Sequence, residues 1–251
     1  MAASRGVPGP SASAGAVDDA LFRPVRAGNA FEETVERLLQ TIRLGVVGPG
    51  ERLPAEREMA ARLSVSRVTV REALRALQQA GYVESHRGRY GGTFVTRTLP
   101  RPSRRDLKQV AQEMGSRLED ALTIRYVLEV GAAEAAALHP LTDADRGNLQ
   151  QRLKEATDAG LEDFRRHDSR LHLAIAEVVG SPSLISAVAE ARDRVNELLN
   201  VIPLLKPNIG HSREQHTEIV TAILAGDAEG ARRAMAGHLS ATGSLLRGFL
   251  D

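Results

Sequence analysis

The segment that decides the fold of the N-terminal half runs from Glu51 to Val95 and reads ERLPAEREMAARLSVSRVTVREALRALQQAGYVESHRGRYGGTFV. Pro54 favours the start of an amphipathic helix, because proline fits the first turn of a helix better than its interior. The residues Ser64–Ser66 then interrupt the apolar pattern, and Ser66 is a residue type that caps the N-terminus of a following helix. The spacing therefore predicts two short helices separated by a tight turn.

The second of these helices has one apolar face and one basic face. Its apolar residues follow the i, i+3, i+4, i+7 spacing of a helix packed on a core: Val70, Ala73, Leu74 and Leu77. Arg67, Arg71 and Arg75 recur every four residues on the remaining face, so they form an exposed strip of guanidinium groups. Such a strip is typical of a helix that lies against a DNA duplex.

A β-hairpin is predicted directly after the second helix. Gly81 favours the end of that helix, and the short runs Tyr82–Glu84 and Thr93–Val95 have the composition of strands. The glycine-rich stretch Arg87–Gly92 joins them as a tip. Two short helices followed by a hairpin wing predict a winged helix-turn-helix, and therefore a DNA-binding function.

These residues resemble the GntR family of regulators. The matching segments are Leu53–Glu58, Val65–Leu74 and Gly91–Val95. The resemblance implies that double-stranded operator DNA is contacted by six residues: Arg57, Arg67, Thr69, Arg71, Arg87 and Gly88. Val68 departs from the pattern, because some relatives have a hydroxyl residue there and valine cannot make the same hydrogen bond.

The composition assigns different roles to the two halves of the chain. With 251 residues the chain is long enough for two domains. Residues 1–105 contain 17 basic and 10 acidic residues, whereas residues 106–251 contain 16 basic and 22 acidic residues, so only the first half attracts phosphate. No cysteine is present, and no apolar run has the roughly 20 residues of a membrane span, so we expect a cytoplasmic protein without disulfides or membrane contact.

The composition of successive segments and the positions of proline and glycine predict four segments and a mainly α fold. We expect a disordered tail at 1–28, a winged helix-turn-helix domain at 29–97 and a linker at 98–106. Residues 107–251 predict an all-α helical bundle of six or seven helices, and the resemblance to the GntR regulators implies that this bundle is the ligand-sensing and dimerisation domain. The expected breaks between its helices are Pro140, Gly160, Gly180–Pro182, Pro203–Gly210 and Gly226–Asp227.

Four residues of the C-terminal half form a candidate metal site. Asp168 and His172 are i, i+4 neighbours and therefore project from one face of a helix. His216 lies one turn into a helix expected to begin near Ser212, and His238 lies in the next helix. Three imidazoles and a carboxylate suit Zn²⁺, Mn²⁺, Fe²⁺ or Ni²⁺, although the spacing alone also fits scattered histidines satisfied by local hydrogen bonds.

A second resemblance favours the metal site. Asp168 and His172, followed by Gln215–Ile223 and Gly226–Leu239, are similar to the helical FCD effector domain of the FadR branch of the GntR family. In the members of that branch that bind metal, the positions of Asp168, His172, His216 and His238 are the ligands. The resemblance therefore implies a divalent cation as cofactor. We expect the remaining histidines of this half, His139, His167 and His211, to lie outside the site.

A cation held by four protein groups leaves open positions that a small carboxylate can chelate, so we expect an organic acid as the effector. Arg125 is the main candidate for its other end, because family members often place an effector-binding arginine at this position. An ion pair between Arg125 and Glu129, four residues apart on one helix, is the alternative role for this arginine. Arg194 and Asn196 are further candidates for effector binding.

We therefore expect a ligand-responsive, homodimeric transcriptional regulator of the repressing kind, which the resemblance implies is the most frequent in this family. Dimerisation is expected because one winged domain reads only a few base pairs. Two alternatives remain, namely a metal-dependent enzyme fused to a DNA-binding module and an architectural DNA-binding protein without a sensor. The enzyme is disfavoured because the sequence contains no H-E-x-x-H motif or comparable nucleophile arrangement.

Overall fold

The computed structural model describes residues 21–22, 30–88, 91–100, 118–200 and 206–250. The elements, in chain order, are α1 (Ala30–Arg43), α2 (Glu56–Leu63), α3 (Arg67–Gln79), β1 (Val83–His86), β2 (Gly92–Val95), α4 (Leu118–Leu138), α5 (Asp143–Asp158), α6 (Phe164–Val178), α7 (Pro182–Leu199), α8 (Lys206–Ala225) and α9 (Ala228–Leu250). The prediction of a mainly α fold with a small hairpin is confirmed.

Helices α2 and α3 form the helix-turn-helix. Helix α2 begins at Glu56, two residues after Pro54, and ends where Ser64 adopts the left-handed conformation with φ 55°. Ser66 caps α3 as predicted, because its hydroxyl accepts a hydrogen bond of 3.0 Å from the backbone N–H of Thr69. The predicted apolar face of α3 is buried in one core with α1 and α2.

The hairpin packs directly behind α3. Gly81 has a φ of 81°, which ends α3 and turns the chain into β1. Strands β1 and β2 pair antiparallel with Val83 opposite Val95 and His86 opposite Gly92, and both valines are buried. The wing tip at Arg87 and Gly88 is exposed, which leaves it accessible to a partner.

Helices α4 to α9 form the C-terminal helical half. Thr142 and Asp145 make a reciprocal capping box at the start of α5, and Ser181 caps α7 just before Pro182. Gly226, with φ 73°, separates α8 from α9 as predicted. The predicted break at Pro203–Gly210 is wrong in part, because α8 begins at Lys206 rather than near Ser212. Proline is tolerated in the first turn of a helix, so Pro207 does not prevent this earlier start.

The predicted tail at 1–28 also differs from the structure at two residues. Leu21 and Phe22 are buried, with exposed fractions of 0% and 3%. Leu21 packs in a cluster with residues of α4, α6 and α7, and Phe22 packs in the core of the helix-turn-helix. Residues 1–20 and 23–29, and most of the predicted linker, lie outside the described residues.

The two halves of the chain contact each other through the end of α1. Leu44 is fully buried and packs in the same cluster as Leu173 and Ala176 of α6. Arg43 forms an ion pair of 2.9 Å with Glu197 of α7. The apolar cluster ties the end of α1 to α6, the helix that carries two of the candidate metal ligands.

Candidate metal centre and DNA-contacting surface

The four predicted metal ligands meet in the interior of the helical half. Asp168 and His172 come from α6, His216 from α8 and His238 from α9. All four side chains are buried, and one potential ligand atom from each lies within 4.8 Å of the others. Three separate helices therefore direct their imidazole and carboxylate groups to a single point.

The distances within this cluster suit a bound cation. The His216 Nε2 atom lies 3.1 Å from Asp168 Oδ1 and 3.4 Å from His172 Nε2, and His172 Nε2 lies 3.9 Å from Asp168 Oδ1. Two ligands at about 2.1 Å from one ion are about 3.0 Å apart at a right angle and about 4.2 Å apart when opposite each other. The Nε2 atom of His238 is buried without a hydrogen-bond partner among the described residues. An ion at this point would satisfy it.

The electrostatics of the cluster favour the neutral forms of His172 and His238. Burial, assisted by the nearby Arg192 guanidinium, lowers the pKa of His172 to about 4. Burial and the neighbouring imidazoles hold the pKa of His238 well below its usual value. Burial alone would raise the pKa of Asp168, but Arg192 and the two nearest imidazoles outweigh it and hold that pKa well below its usual value. Neutral imidazoles and an ionised carboxylate are the forms that bind a metal.

A buried ion-pair network surrounds the candidate ligands. The sequence patterns did not predict it. Arg192 is 1% exposed, its Nη1 atom lies 3.0 and 3.1 Å from the two carboxylate oxygens of Glu129, and its Nη2 atom contacts Asp168. Glu129 is also 1% exposed. The available signal was the position of Arg192 within the buried stripe of α7, seven residues after Ile185 and three before Val195.

The three predicted effector-binding residues have different surroundings. Arg125 is buried and forms the alternative ion pair with Glu129, at 3.0 Å, while its Nη1 atom has no hydrogen-bond partner among the described residues. Asn196 donates a hydrogen bond of 2.9 Å to Ser169, the neighbour of Asp168. Arg194 does not join the cluster.

Arg194 is instead exposed and pairs with Glu190 at 2.6 Å. Two residues of helix rotate a side chain by about 200°, so Arg192 and Arg194 face opposite directions. The buried arginine of α7 is therefore Arg192, and Arg194 lies on the opposite face of the helix, away from the cluster.

A cavity of about 260 Å³ opens between α4 and α9. Arg125 borders it, and so do Leu239 and Ser240, which directly follow His238. His139 and His211 are exposed, and His167 lies outside the group of converging ligands, as expected.

The predicted DNA-contacting residues are presented on α2, α3 and the wing. Arg57, Arg67, Arg71, Arg87 and Gly88 are exposed, and Thr69 is half-buried. Arg71 forms an ion pair of 2.9 Å with Glu56, which holds its guanidinium across the helix-turn-helix. The Thr69 hydroxyl lies 2.9 Å from that of Ser66, so part of its hydrogen-bonding capacity serves the cap of α3.

Comparison with known families gives two matches that together span most of the chain. Residues 31–95 match the family described as "Bacterial regulatory proteins, gntR family", and residues 120–241 match the FCD domain. The first range contains the helix-turn-helix and the wing. The second contains all four residues of the metal cluster.

Several bacterial regulators are similar to this chain over most of their length. The chain is 32% identical over 233 residues to the "Putative L-lactate dehydrogenase operon regulatory protein" of Escherichia coli (strain K12), covering 87% of this chain and 86% of that protein. It is 30% identical to the HTH-type transcriptional regulator LutR of Bacillus subtilis (strain 168), covering 84% of this chain and 98% of LutR. It is also 31% identical to the HTH-type transcriptional repressor NanR of Salmonella newport (strain SL254), covering 87% and 85% of the two chains.

The solved structure of E. coli McbR/YncC shares the fold, with a TM-score of 0.50, 22% identity, and coverage of 88% of this chain and 99% of that one. No helix in the described part of the chain is both long and apolar enough to cross a membrane. The similar families and relatives are transcriptional regulators and not enzymes, which disfavours the metalloenzyme alternative. The chain belongs to the GntR family of transcriptional regulators, as a member with a C-terminal FCD domain.

Proposed function

We propose that this regulator is a homodimeric repressor that binds a palindromic operator and senses a small organic acid through a divalent cation. The convergence of Asp168, His172, His216 and His238 at one buried point is the observation that carries the proposal. The DNA-binding half would read the operator through α3 and the wing. The helical half would report the presence of the acid.

The donor set supports a metal-dependent sensor. Three neutral imidazoles and one carboxylate would hold a borderline divalent cation such as Zn²⁺, Mn²⁺, Fe²⁺ or Ni²⁺. Such an ion would supply a Lewis-acidic centre with coordination positions open to a carboxylate. The protein itself contributes the burial that strengthens electrostatic attraction to an anion.

The surroundings of the cluster support an anionic effector. Arg125 is buried beside it and already pairs with Glu129, but its Nη1 atom has no hydrogen-bond partner among the described residues. This guanidinium can therefore donate a hydrogen bond to a second negatively charged or polar group. One relative is named for an L-lactate dehydrogenase operon, and L-lactate is a small hydroxy acid. We therefore place small 2-hydroxy acids first among the candidate effectors.

Helix α6 directly connects the metal cluster to the DNA-binding half. Asp168 and His172 face the metal cluster, whereas Leu173 and Ala176 of the same helix pack against Leu44 at the end of α1. A small rotation or translation of α6 on effector binding would therefore shift the end of α1, a helix that packs with α2 and α3 in the core of the DNA-binding half. Packed interfaces of this kind transmit small shifts because they have discrete arrangements.

Elemental analysis of protein purified without chelator tests the metal site. We expect about one divalent ion per chain in the wild type and its loss in His216→Ala and His238→Ala. His211→Ala is the matched control, because His211 is an exposed histidine on the same helix as His216. Equal metal content in the wild type and in His216→Ala after supplementation with divalent ions would contradict the site.

Effector-dependent DNA binding separates this proposal from an architectural protein. An architectural protein would bind DNA equally with and without the acid. A repressor of the proposed kind changes its operator affinity when the acid is added. DNA binding in both cases would depend on the same arginines, so the discriminating variable is the acid and not the DNA.

A further inference from the structure

Two residues that are not metal ligands hold the outer nitrogens of two of the histidines. The Nδ1 atom of His172 contacts the Glu129 carboxylate, which lies on α4, a helix that contributes none of the four ligands. The Nδ1 atom of His238 lies 3.1 Å from the side-chain oxygen of Gln215 on α8. Each imidazole therefore has its Nδ1 occupied by an oxygen.

These contacts determine which nitrogen of each ring carries the proton. Glu129 also binds two arginine side chains, Arg125 and Arg192, so it is present as an acceptor-only carboxylate. A neutral imidazole next to such an acceptor places its proton on Nδ1, which leaves the Nε2 lone pair free. For His172, Nε2 is the nitrogen that lies near His216 and Asp168. For His238, Nε2 is the buried atom without a described partner.

His216 provides an internal comparison. Its Nε2 atom lies 3.1 Å from Asp168, but its buried Nδ1 atom has neither a hydrogen-bond partner nor a carboxylate contact among the described residues, whereas the Nδ1 atom of His172 contacts the Glu129 carboxylate. The ring of His216 therefore has no corresponding oxygen to orient it from behind. The three imidazoles are supported unequally, and the support comes from Glu129 and Gln215.

We propose that Glu129 and Gln215 are positioning residues of the metal site, which fix His172 and His238 as Nδ1–H tautomers that coordinate through Nε2. This inference rests on the metal site proposed above. Partners of this kind commonly change metal affinity by about 10- to 100-fold when removed. Glu129 additionally holds Arg192 against Asp168, so it orients a second ligand through a second residue.

The test measures the affinity of the full-length protein for Zn²⁺ in competition with a chromogenic chelator. We expect Glu129→Gln and Gln215→Met each to weaken Zn²⁺ binding by about 10- to 100-fold. Glu190→Gln is the control for Glu129, because Glu190 forms the same i, i+4 pair with an arginine on the surface. Gln151→Met is the control for Gln215, since Gln151 is exposed on α5. Both controls should bind Zn²⁺ like the wild type.

Nitrogen-15 NMR of the imidazoles in the Zn²⁺-loaded wild type gives a readout that a merely structural role would not move. We expect His172 and His238 to be protonated on Nδ1 and coordinated through Nε2. Coordination through Nδ1 in either ring, or unchanged affinity in Gln215→Met, would overturn the inference. Both of these measurements, the NMR of the wild type and the Zn²⁺ affinity of Gln215→Met, test the inference even if Glu129→Gln does not fold. A wild type that binds no Zn²⁺ would instead contradict the metal site itself.

A second inference rests on a different observation, the exposed valine of α3. Val68 is 60% exposed, is the second residue of α3 and lies between Arg67 and Arg71 in the turn where such helices meet base edges. Its branched apolar side chain cannot donate or accept a hydrogen bond. The apolar group that a base presents in the major groove is the C5-methyl of thymine. We propose that Val68 is a specificity-determining residue that contacts a thymine methyl group in each half-site.

The test uses a duplex selected from a random library by the wild-type protein, in which each thymine is replaced in turn by deoxyuridine. Removing the contacted methyl should weaken binding by about fourfold per half-site, corresponding to about 0.8 kcal/mol for one methyl-sized group. Val68→Ala should be insensitive to that replacement. Val127→Ala, at a valine with similar exposure in the helical half, should respond like the wild type. No sensitive thymine, or equal sensitivity in Val68→Ala, would overturn the inference.

Discussion

Removal of the metal should lower the thermal stability of the helical half. The proposed ligands come from α6, α8 and α9, so a single ion would join three helices that also share an apolar core. An ion that binds only the folded state stabilises it by about 2.7 kcal/mol when its free concentration is 100 times Kd. For a chain of this size about 1 kcal/mol shifts Tm by about 2 to 4 °C, so chelation should lower Tm by about 5 to 11 °C.

Calorimetry of metal-loaded and chelator-treated protein measures this shift. In His216→Ala we expect little difference between the two conditions, because one ligand of the cluster is missing. His211→Ala should show the full wild-type shift, since its exposed side chain lies outside the site. The reasoning would be refuted if the wild type carried one ion per chain yet melted at the same temperature with and without chelator.

Three further predictions concern the pH dependence of stability, the arginines of α3 and the contact between the two halves of the chain. In metal-free protein, the pKa of His172 is about 4 in the folded state and near 6.5 in the unfolded state. The free energy of unfolding should therefore be constant with respect to this group above about pH 6.5 and fall by about 3 kcal/mol toward pH 4, because the unfolded chain binds the proton first. Urea unfolding at pH 7 and at pH 4 measures the loss. Arg67→Ala or Arg71→Ala should each weaken operator binding by about 1 to 3 kcal/mol, and equal loss on random duplex would exclude base contacts. Leu44→Ala should cost about 2 to 5 kcal/mol in urea unfolding, because Leu44 is fully buried; a loss under 1 kcal/mol would contradict its packing role.

The features that could be predicted from the sequence are those set by local spacing. Ser66, the apolar face of α3 and Gly81 determine the helix-turn-helix through contacts a few residues apart. The pairing of Asp168 with His172 likewise follows from one helical turn. That His216 and His238 join them depended on a resemblance, because the relative placement of three helices is not encoded in local spacing.

The features that were missed depend on distant partners. Arg192 and Glu129 are 63 residues apart, and each would be unfavourable in the interior without the other. Leu21 and Phe22 are two apolar residues in a stretch otherwise rich in small and polar residues, so their composition indicated a tail. Only the folded chain shows the pockets that bury them.

The measurement that tests the central claim most directly is operator affinity, by fluorescence anisotropy, with and without a panel of hydroxy, keto and sugar acids. In metal-loaded protein we expect one acid to change the affinity by about 5- to 150-fold, which corresponds to about 1 to 3 kcal/mol of coupling, and operator DNA to change acid affinity by the same factor. Chelation or His172→Ala should reduce this response more than it reduces DNA binding without acid, at a temperature at which all samples are shown to be folded and dimeric. An acid that binds tightly and requires the metal, yet leaves operator affinity unchanged, would contradict the account.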